Sequence, residues 1–283
     1  MNNIALIEPV DYLVIGHITQ DILPNGFALG GTVSYSSLTA AALGLRVGMV
    51  TSCAPDLMLN ELDSIRVVRK DAEHSTTFEN VYTPHGRVQH IHNRAETISA
   101  ADIPLQWRNT PIVHLGPVAQ EVDPSLARAF PNSFVGVTPQ GWLRDWDDEG
   151  RVFPCKWGDS ASVLPYANAA ILSLEDVSSD EEEIQKFAEA VPILVVTFGE
   201  ADARVYWNGD VRVFKPPEKE EVDATGAGDI FATSFFVRYT QTRDPWEAAR
   251  FATRIASNSV TRKGLQSIPT QDEIKTITSE IVK

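Results

Sequence analysis

The chain has 283 residues, 43% of them hydrophobic, which is enough to bury the core of one large domain. Its net charge of −14 would repel nucleic acid and anionic lipid, so we expect neither as a partner. The two cysteines match no metal-binding spacing, and no apolar run reaches the 18 residues of a membrane span. A cytoplasmic protein is therefore the default expectation.

The first predicted strand covers residues 12–18, a short run rich in apolar and β-branched residues. Asp21 follows just beyond it. Ligands of open α/β sheets bind at the carboxyl ends of strands, so Asp21 is placed to accept hydrogen bonds from substrate hydroxyls; the simpler alternative is a turn carboxylate. Gly30 and Gly31 then precede an Ala- and Leu-rich helix over 32–43, and their backbone could lie flat against a ligand.

Two segments have sequence patterns of exposed hairpins, unlike the buried strands around them. The pair Asn25-Gly26 predicts a tight hairpin, and the residues after position 75 alternate between polar and apolar, as in a half-exposed hairpin. Together these segments predict a small β lid, from about 21–30 and 75–95, that projects from the main sheet.

Strands continue to alternate with helices towards the end of the chain. Strands are predicted at 47–53, 65–68, 112–118, 134–137, 169–174 and 193–198, a hairpin at 204–214, a charged turn at 145–150, and helices at 123–130, 180–190, 230–239, 245–262 and 270–281. This order predicts one α/β domain over 1–283, with a mainly parallel central sheet, helices on both faces and late antiparallel strands.

The stretch from Asp223 to Asp229, with the sequence DATGAGD, carries the strongest functional signal. Gly226 and Gly228 lack Cβ atoms that would keep an anion off the backbone, and the helix that follows directs free N–H groups and its positive dipole end at one spot. A carboxylate beside such a spot would repel a bound phosphate. Asp229 suits instead a base that takes a proton from a hydroxyl attacking the phosphate. The simpler alternative is a capped helix start.

This stretch resembles the D-T-x-G-A-G-D signature of the PfkB/ribokinase family of small-molecule kinases, with Ala224 in place of the usual Thr. The order of the other features resembles that family over nearly the whole chain, which implies a ribokinase-like fold. The resemblance also implies that Asp229 is the catalytic base and that the N–H groups of Gly226, Ala227 and Gly228 stabilise the transferring phosphoryl group. ATP would be the donor, with Mg²⁺ bridging its phosphates.

The same resemblance implies a set of substrate contacts. Asp21 resembles the family's substrate-binding aspartate, and Gly30-Gly31 with the helix behind it resembles the first family signature. Tyr35 stands where that signature usually has Asn, so the pocket would suit a different polyol. Further candidate contacts are Thr138, Gln140 and Arg94.

On the nucleotide side, Thr197 and Gly199 resemble the family's T-x-G turn, although the second glycine usual after it is absent. The run 259–264 resembles the closing V-T-R-x-G element, which implies that Gly264 and Thr225 lie beside the nucleotide.

Two metal sites are implied in the same way. The family's N-x-x-E motif, which helps to organise Mg²⁺, falls at 173–176, with Ser173 and Asp176 at its altered ends. Asp176 is the candidate to reach a metal-bound water. Carbonyl groups near Asp223 and Thr225 often hold a monovalent cation, such as K⁺, in this family.

We therefore expect an ATP-dependent phosphotransferase acting on a hydroxyl of a small polyol, either a sugar or an inositol. The N-terminal motifs are similar to the branch that includes plant inositol kinase, and a lid of this length favours a monomer or a homodimer without interlocked lids. A nucleoside kinase is one alternative. A non-catalytic ligand-binding or regulatory protein on the same fold is another, favoured by the altered motifs. A dinucleotide-dependent oxidoreductase is excluded, because no G-x-G-x-x-G follows the first strand.

Overall fold

A nine-stranded sheet forms the centre of the computed structural model, which describes residues 8–83 and 86–281. Its strands are β1 (Tyr12–Ile15), β4 (Val47–Cys53), β5 (Arg66–Asp71), β8 (Ile112–Leu115), β9 (Phe134–Val137), β12 (Ala169–Ser173), β13 (Ile193–Thr197), β14 (Ala203–Trp207) and β15 (Asp210–Phe214). Their order is β15-β14-β13-β12-β9-β8-β1-β4-β5. All neighbours from β13 to β5 pair in parallel, and β14 and β15 pair antiparallel. The predicted mainly parallel sheet with late antiparallel strands is confirmed.

Helices cover both faces of this sheet, as predicted. They are α1 (Thr32–Ala42), α2 (Ser160–Val163), α3 (Glu181–Ala190), α4 (Ala227–Thr242), α5 (Pro245–Ser259) and α6 (Gln271–Ile281). Short 3-10 helices occur at Asn60–Leu62, Ala100–Asp102, Leu105–Trp107, Pro124–Arg128, Pro139–Leu143, Leu164–Tyr166 and Gly264–Ser267.

The alternation of side chains along β1 shows how the two cores are separated. Tyr12 and Val14 point into a core shared with α1, α4 and α5, while Leu13 and Ile15 point into a core shared with α3. All four residues are fully buried. Both faces of β1 are therefore covered, which explains why its sequence is a continuous apolar run rather than an alternating one.

The predicted lid is a separate four-stranded sheet. Its strands are β2 (Thr19–Leu23), β3 (Gly26–Gly30), β6 (Thr76–Thr83) and β7 (Gly86–Asn93), in the order β3-β2-β6-β7. The turn of the first hairpin consists of Pro24 and Asn25, because Gly26 already pairs with Leu23 as the first residue of β3. Residues 84 and 85, inside the predicted lid segment, and residues 1–7, 282 and 283, inside the predicted domain, lie outside the described residues.

The predicted charged turn at 145–150 is instead a hairpin of β10 (Arg144–Trp146) and β11 (Val152–Pro154). Trp146 and Val152 pack against Phe78 and Ile91 of the lid, so the apolar residues that flank the charged turn form strands beneath the lid sheet. The Ile91 amide also donates to the carbonyl of Gly150 at 2.8 Å. The hairpin thus connects the lid to the main body.

Several element boundaries also differ from the prediction. The strand expected over 112–118 ends at Leu115, and the helix expected over 123–130 is the 3-10 helix Pro124–Arg128. The chain turns after Leu115 because the Glu121 carboxylate accepts hydrogen bonds from the amides of His17, Val118 and Ala119. No helix in the described ranges is both long enough and apolar enough to cross a membrane.

Candidate active site

The glycine turn ahead of α4 has the geometry that its sequence predicts. Gly226 caps the helix in the left-handed region, at a φ of 78°. A Cβ on Gly226 would lie 2.2 Å from a ring carbon of Tyr35, whereas a Cβ on Gly228 would have no other atom within 4 Å. Gly226 is therefore required by its backbone angle and its neighbour, while Gly228 leaves open space at the start of the helix.

The backbone amides of this turn are not equivalent. The Ala227 amide donates to the carbonyl of Ala224 at 3.1 Å, and the Ile230 amide donates to the carbonyl of Gly226 at 2.9 Å. In the described part of the chain, the amides of Gly226 and Gly228 donate to no backbone carbonyl. Of the three amides predicted to bind an anion, the geometry thus favours the two from glycine.

Asp229 lies in the first turn of α4 and keeps part of its surface open to solvent. Surrounding protein nevertheless encloses its carboxyl group, and this burial raises the pKa to about 6. The Thr32 hydroxyl and the positive charge of Arg144 pull the pKa down, and the nearby charge of Asp176 pushes it up. A carboxyl group with a pKa near 6 is ionised at neutral pH and is still basic enough to take a proton from a hydroxyl.

Asp21 lies on β2, pressed against the first of the two glycines. A Cβ on Gly30 would lie 2.4 Å from Asp21 Oδ2, and a Cβ on Gly31, which has a φ of 84°, would lie 2.4 Å from the His17 carbonyl oxygen. The Thr19 hydroxyl donates to Asp21 Oδ1 at 3.3 Å. The diglycine therefore lets the start of α1 approach the lid strand that carries Asp21.

Tyr35, predicted from its motif position to contact the substrate, has a ring that is buried among apolar side chains. Only 3% of its surface is exposed, and its ring packs in a cluster with Ile230, Phe251, Ile255 and Ile277. Burial raises the pKa of Tyr35, and the charges of Asp229, Asp21 and Asp223 raise it further. Tyr35 thus lies among the three predicted carboxylates and supports the glycine turn through its contact with Gly226.

Arg144 is a candidate site residue that sequence reasoning missed. Its guanidinium Nη1 donates to Gln89 Oε1 of the lid at 3.2 Å, and its charge lowers the pKa of Asp229. Arg144 follows the 3-10 helix that contains Gln140, a half-exposed residue. The available signal is a lone cation seven residues after a predicted strand end, directly before the predicted charged turn at 145–150.

Asp223 joins the glycine turn to the closing segment. Its Oδ1 accepts the Thr225 amide at 2.9 Å and its Oδ2 accepts the Gly264 amide at 3.0 Å. Burial alone would raise the pKa of Asp223, but these hydrogen bonds and the charge of Lys263 hold it below its usual value. The Val222 and Asp223 amides both donate to the Val260 carbonyl. The two segments predicted to flank the nucleotide are thus in direct contact.

Asp176 and Ser173 bind each other at the end of β12. The Ser173 amide donates to Asp176 Oδ2 at 2.9 Å, and the Asp176 amide donates to Ser173 Oγ at 3.3 Å. Ser173 pairs with Thr197 in the sheet, and the Thr197 hydroxyl donates to the Leu172 carbonyl at 3.4 Å. Gly199 lies two residues further on, at a φ of 60°. Across the described residues, no group of three acidic, histidine or cysteine side chains could hold a metal ion alone.

The structure thus brings most of the predicted residues to one end of the sheet. Asp21, Tyr35 and Asp229 interact electrostatically, and Asp176 lies close enough to affect Asp229. Arg94 is engaged elsewhere, since it donates to the carbonyls of Ala119 and Gln120 and so braces a loop.

Comparisons with known proteins show which proteins the chain resembles in sequence and in fold. Residues 162–272, which include the glycine turn, match the model of the pfkB family carbohydrate kinases. The chain is 25% identical to cytidine kinase of Thermococcus kodakarensis over 278 residues, covering 92% of this chain and 99% of that protein.

Two solved structures illustrate the shared fold. A pyrophosphate-dependent kinase of the ribokinase family, complexed with a pyrophosphate analogue and myo-inositol, is 18% identical with a TM-score of 0.77, covering 93% of this chain and 99% of that one. Arabidopsis thaliana ribokinase, complexed with ribose and ATP, is 19% identical with a TM-score of 0.70, covering 95% and 99%. The family match over residues 162–272 and the shared ribokinase-like fold together support a small-molecule kinase of the PfkB/ribokinase family.

Proposed function

We propose that this kinase transfers the terminal phosphoryl group of ATP to a hydroxyl of a small polyol, with Asp229 as the base. The observation that carries the proposal is the Asp229 carboxyl group, whose pKa is raised to about 6 beside the open Gly228 amide. A carboxylate that only capped the helix would be stabilised by the dipole and would have a lowered pKa. Residues 1–283 would form one kinase domain with its lid.

The chemistry follows from the positions of these groups. Asp229 takes the proton of the acceptor hydroxyl as its oxygen attacks the phosphorus, while the amides of Gly226 and Gly228 face the charge on the transferring phosphoryl group. Arg144 adds positive charge near the same point. Asp21 accepts hydrogen bonds from other acceptor hydroxyls and orients the one that reacts.

Magnesium fits this site as an ion held mainly by the donor phosphates. Mg²⁺ usually takes one or two carboxylates, several waters and substrate phosphates rather than a protein cage. Asp176 offers one carboxylate, since the Ser173 amide binds only its Oδ2. When bound, the ion would neutralise charge on the phosphates.

The donor contacts and the monovalent cation belong to the same proposal. Thr197, Gly199, Thr225 and Gly264 would line the ATP site. Both oxygens of Asp223 accept amides, so a K⁺ ion would be held by neighbouring carbonyl groups, with Asp223 as the brace between the two loops.

The acceptor class is tested by a panel of inositols, pentoses, hexoses and nucleosides. Each is incubated with ATP and, separately, with pyrophosphate, because one related structure belongs to a pyrophosphate-dependent kinase. We expect turnover of a polyol with ATP. Preferred turnover of a nucleoside would favour the nucleoside kinase alternative, for which the match to cytidine kinase is the supporting observation. ATP binding without turnover of any acceptor would favour the non-catalytic regulatory alternative.

A further inference from the structure

A line of buried polar side chains crosses the core beneath Asp229, and the mechanism above does not use it. The Tyr12 hydroxyl lies 2.8 Å from His114 Nδ1, and His114 Nε2 lies 2.8 Å from the Thr138 hydroxyl oxygen. Tyr12 and His114 are fully buried. Since buried polar groups cost free energy that an apolar residue would not, a line of them in the core requires a reason beyond packing.

Thr138 is where this line reaches the candidate active site. It directly follows β9 and is 7% exposed. A Cβ on Gly116 would lie 2.4 Å from Thr32 Cγ2 and 3.5 Å from Thr138 Oγ1, and the Thr32 hydroxyl interacts with Asp229. Gly116 thus has Thr32 and Thr138 as neighbours, which places Thr138 near the threonine that contacts the base.

The neutral state of His114 and the distances around it favour one arrangement of the protons. His114 is neutral, because burial lowers its pKa to about 3, so one ring nitrogen carries a proton and the other accepts one. The second neighbour of the Tyr12 hydroxyl, Thr233 Oγ1, is 3.4 Å away, which is long for a hydroxyl bond. The shorter distance therefore favours Tyr12 as the donor to Nδ1, which leaves the ring proton on Nε2, facing Thr138.

A Thr138 oxygen that accepts from His114 keeps its own hydrogen for another partner. Within the described residues, the Thr138 hydroxyl has no hydrogen bond other than the one with His114. The Asp21 carboxylate can only accept hydrogen bonds, so it binds the hydroxyl hydrogens of a polyol. A separate protein donor, such as the Thr138 hydroxyl, can then bind one of the polyol oxygens.

We propose that Tyr12 and His114 are positioning residues that set Thr138 as a hydrogen-bond donor to an oxygen of the acceptor polyol. This inference rests on the proposed function and adds a specificity-determining residue to it.

The first test is steady-state kinetics on the best acceptor and on its deoxy analogues. In Thr138→Val, we expect the KM for the acceptor to rise roughly 3- to 10-fold with the donor KM unchanged, as for one lost neutral hydrogen bond. One deoxy analogue should bind wild type more weakly than the full acceptor does. In Thr138→Val, that analogue and the full acceptor should bind equally well. Thr138→Ser should restore binding. The matched control is Thr253→Val, a buried threonine on α5 whose hydroxyl has no partner among the described residues.

The second test asks whether Tyr12 acts through Thr138. Tyr12→Phe should raise the acceptor KM in wild type and have no further effect in the Thr138→Val background. A purely structural Tyr12 would give the same change in both backgrounds.

The third test reads the ring proton directly by ¹⁵N NMR of histidine-labelled enzyme. The His114 signal is assigned through the Phe236 ring, whose centroid lies 5.1 Å away. We expect the proton on Nε2 in wild type. A proton on Nδ1 would make Thr138 the donor to His114 and overturn the inference, whatever the activity. If wild type turns over a polyol and Thr138→Val does so equally well, only this inference fails; if wild type turns over no polyol, the proposed function fails.

Discussion

Gly226 and Gly228 lie two residues apart, and the structure predicts opposite effects on stability when each is replaced by alanine. At Gly226, the left-handed φ of 78° strains any other residue, and the new methyl group would lie 2.2 Å from the Tyr35 ring. The backbone strain costs about 1–3 kcal/mol, and overpacking against a buried ring costs about 1–3 kcal/mol more. Gly226→Ala should therefore lower the free energy of unfolding by roughly 2–6 kcal/mol.

At Gly228, the backbone is helical and, beyond its chain neighbours and its own helix backbone, the added methyl group meets no atom within 4 Å. Replacing glycine by alanine in a compatible helix stabilises a protein by about 0.4–1 kcal/mol. Gly228→Ala should thus raise the unfolding free energy slightly. It should still lose most activity, because the methyl group occupies the space where we propose that the phosphoryl group binds.

Urea unfolding of both variants, with initial rates measured on the folded proteins, separates these effects. Combining Gly226→Ala with Tyr35→Leu should recover part of the lost stability, because the smaller side chain relieves the clash but not the backbone strain. Equal stability of Gly226→Ala and wild type, or full activity of Gly228→Ala, would refute the reasoning.

Further predictions concern three charged groups. Activity should fall as the pH drops below about 6, where Asp229 becomes protonated. The pKa of Asp229 in the folded protein lies above its ordinary value, so ionisation of this group destabilises the fold. Asp229→Asn should therefore be more stable than wild type at pH 8 and should lose that advantage below pH 4. Urea unfolding at the two pH values measures the difference. Arg144→Gln removes a charge that lowers the pKa of Asp229, so the acid limb of the pH–rate profile should move to higher pH, and Arg144→Lys should move it back. Asp223→Ala breaks two amide hydrogen bonds, and should cost about 1–3 kcal/mol in thermal unfolding and raise the KM for ATP.

Local patterns were sufficient to predict the main sheet and its helices. The strands Val47–Cys53 and Phe134–Val137 have the predicted bounds, because a short apolar run of four to eight residues is typical of a buried strand. The helix α3 begins where Asp180 accepts the amides of Glu182 and Glu183. Such signals are carried by neighbouring residues, so they can be read from one sequence.

The unpredicted features depend on contacts between distant segments. Tyr35 reads as a pocket residue from its motif, and only the approach of Gly226, almost 200 positions later, shows that its ring supports the glycine turn. Arg144 precedes the predicted charged turn and has no role that its neighbours in sequence indicate; only the contact with Gln89 of the lid shows where it lies. The line from Tyr12 through His114 to Thr138 joins β1, β8 and the residue after β9, and spacing along the sequence does not determine the order of these strands in the sheet.

The central claim is that Asp229 is the base in phosphoryl transfer to a polyol, and its most direct test is the rate of phosphomonoester formation by Asp229→Asn. On the best acceptor, followed by ³¹P NMR, we expect a loss of roughly 10²–10⁴-fold. Asp159→Asn, which changes an exposed aspartate that makes no side-chain cap bond, should match wild type. An Asp229→Asn enzyme that forms product within a few-fold of the wild-type rate would contradict the account.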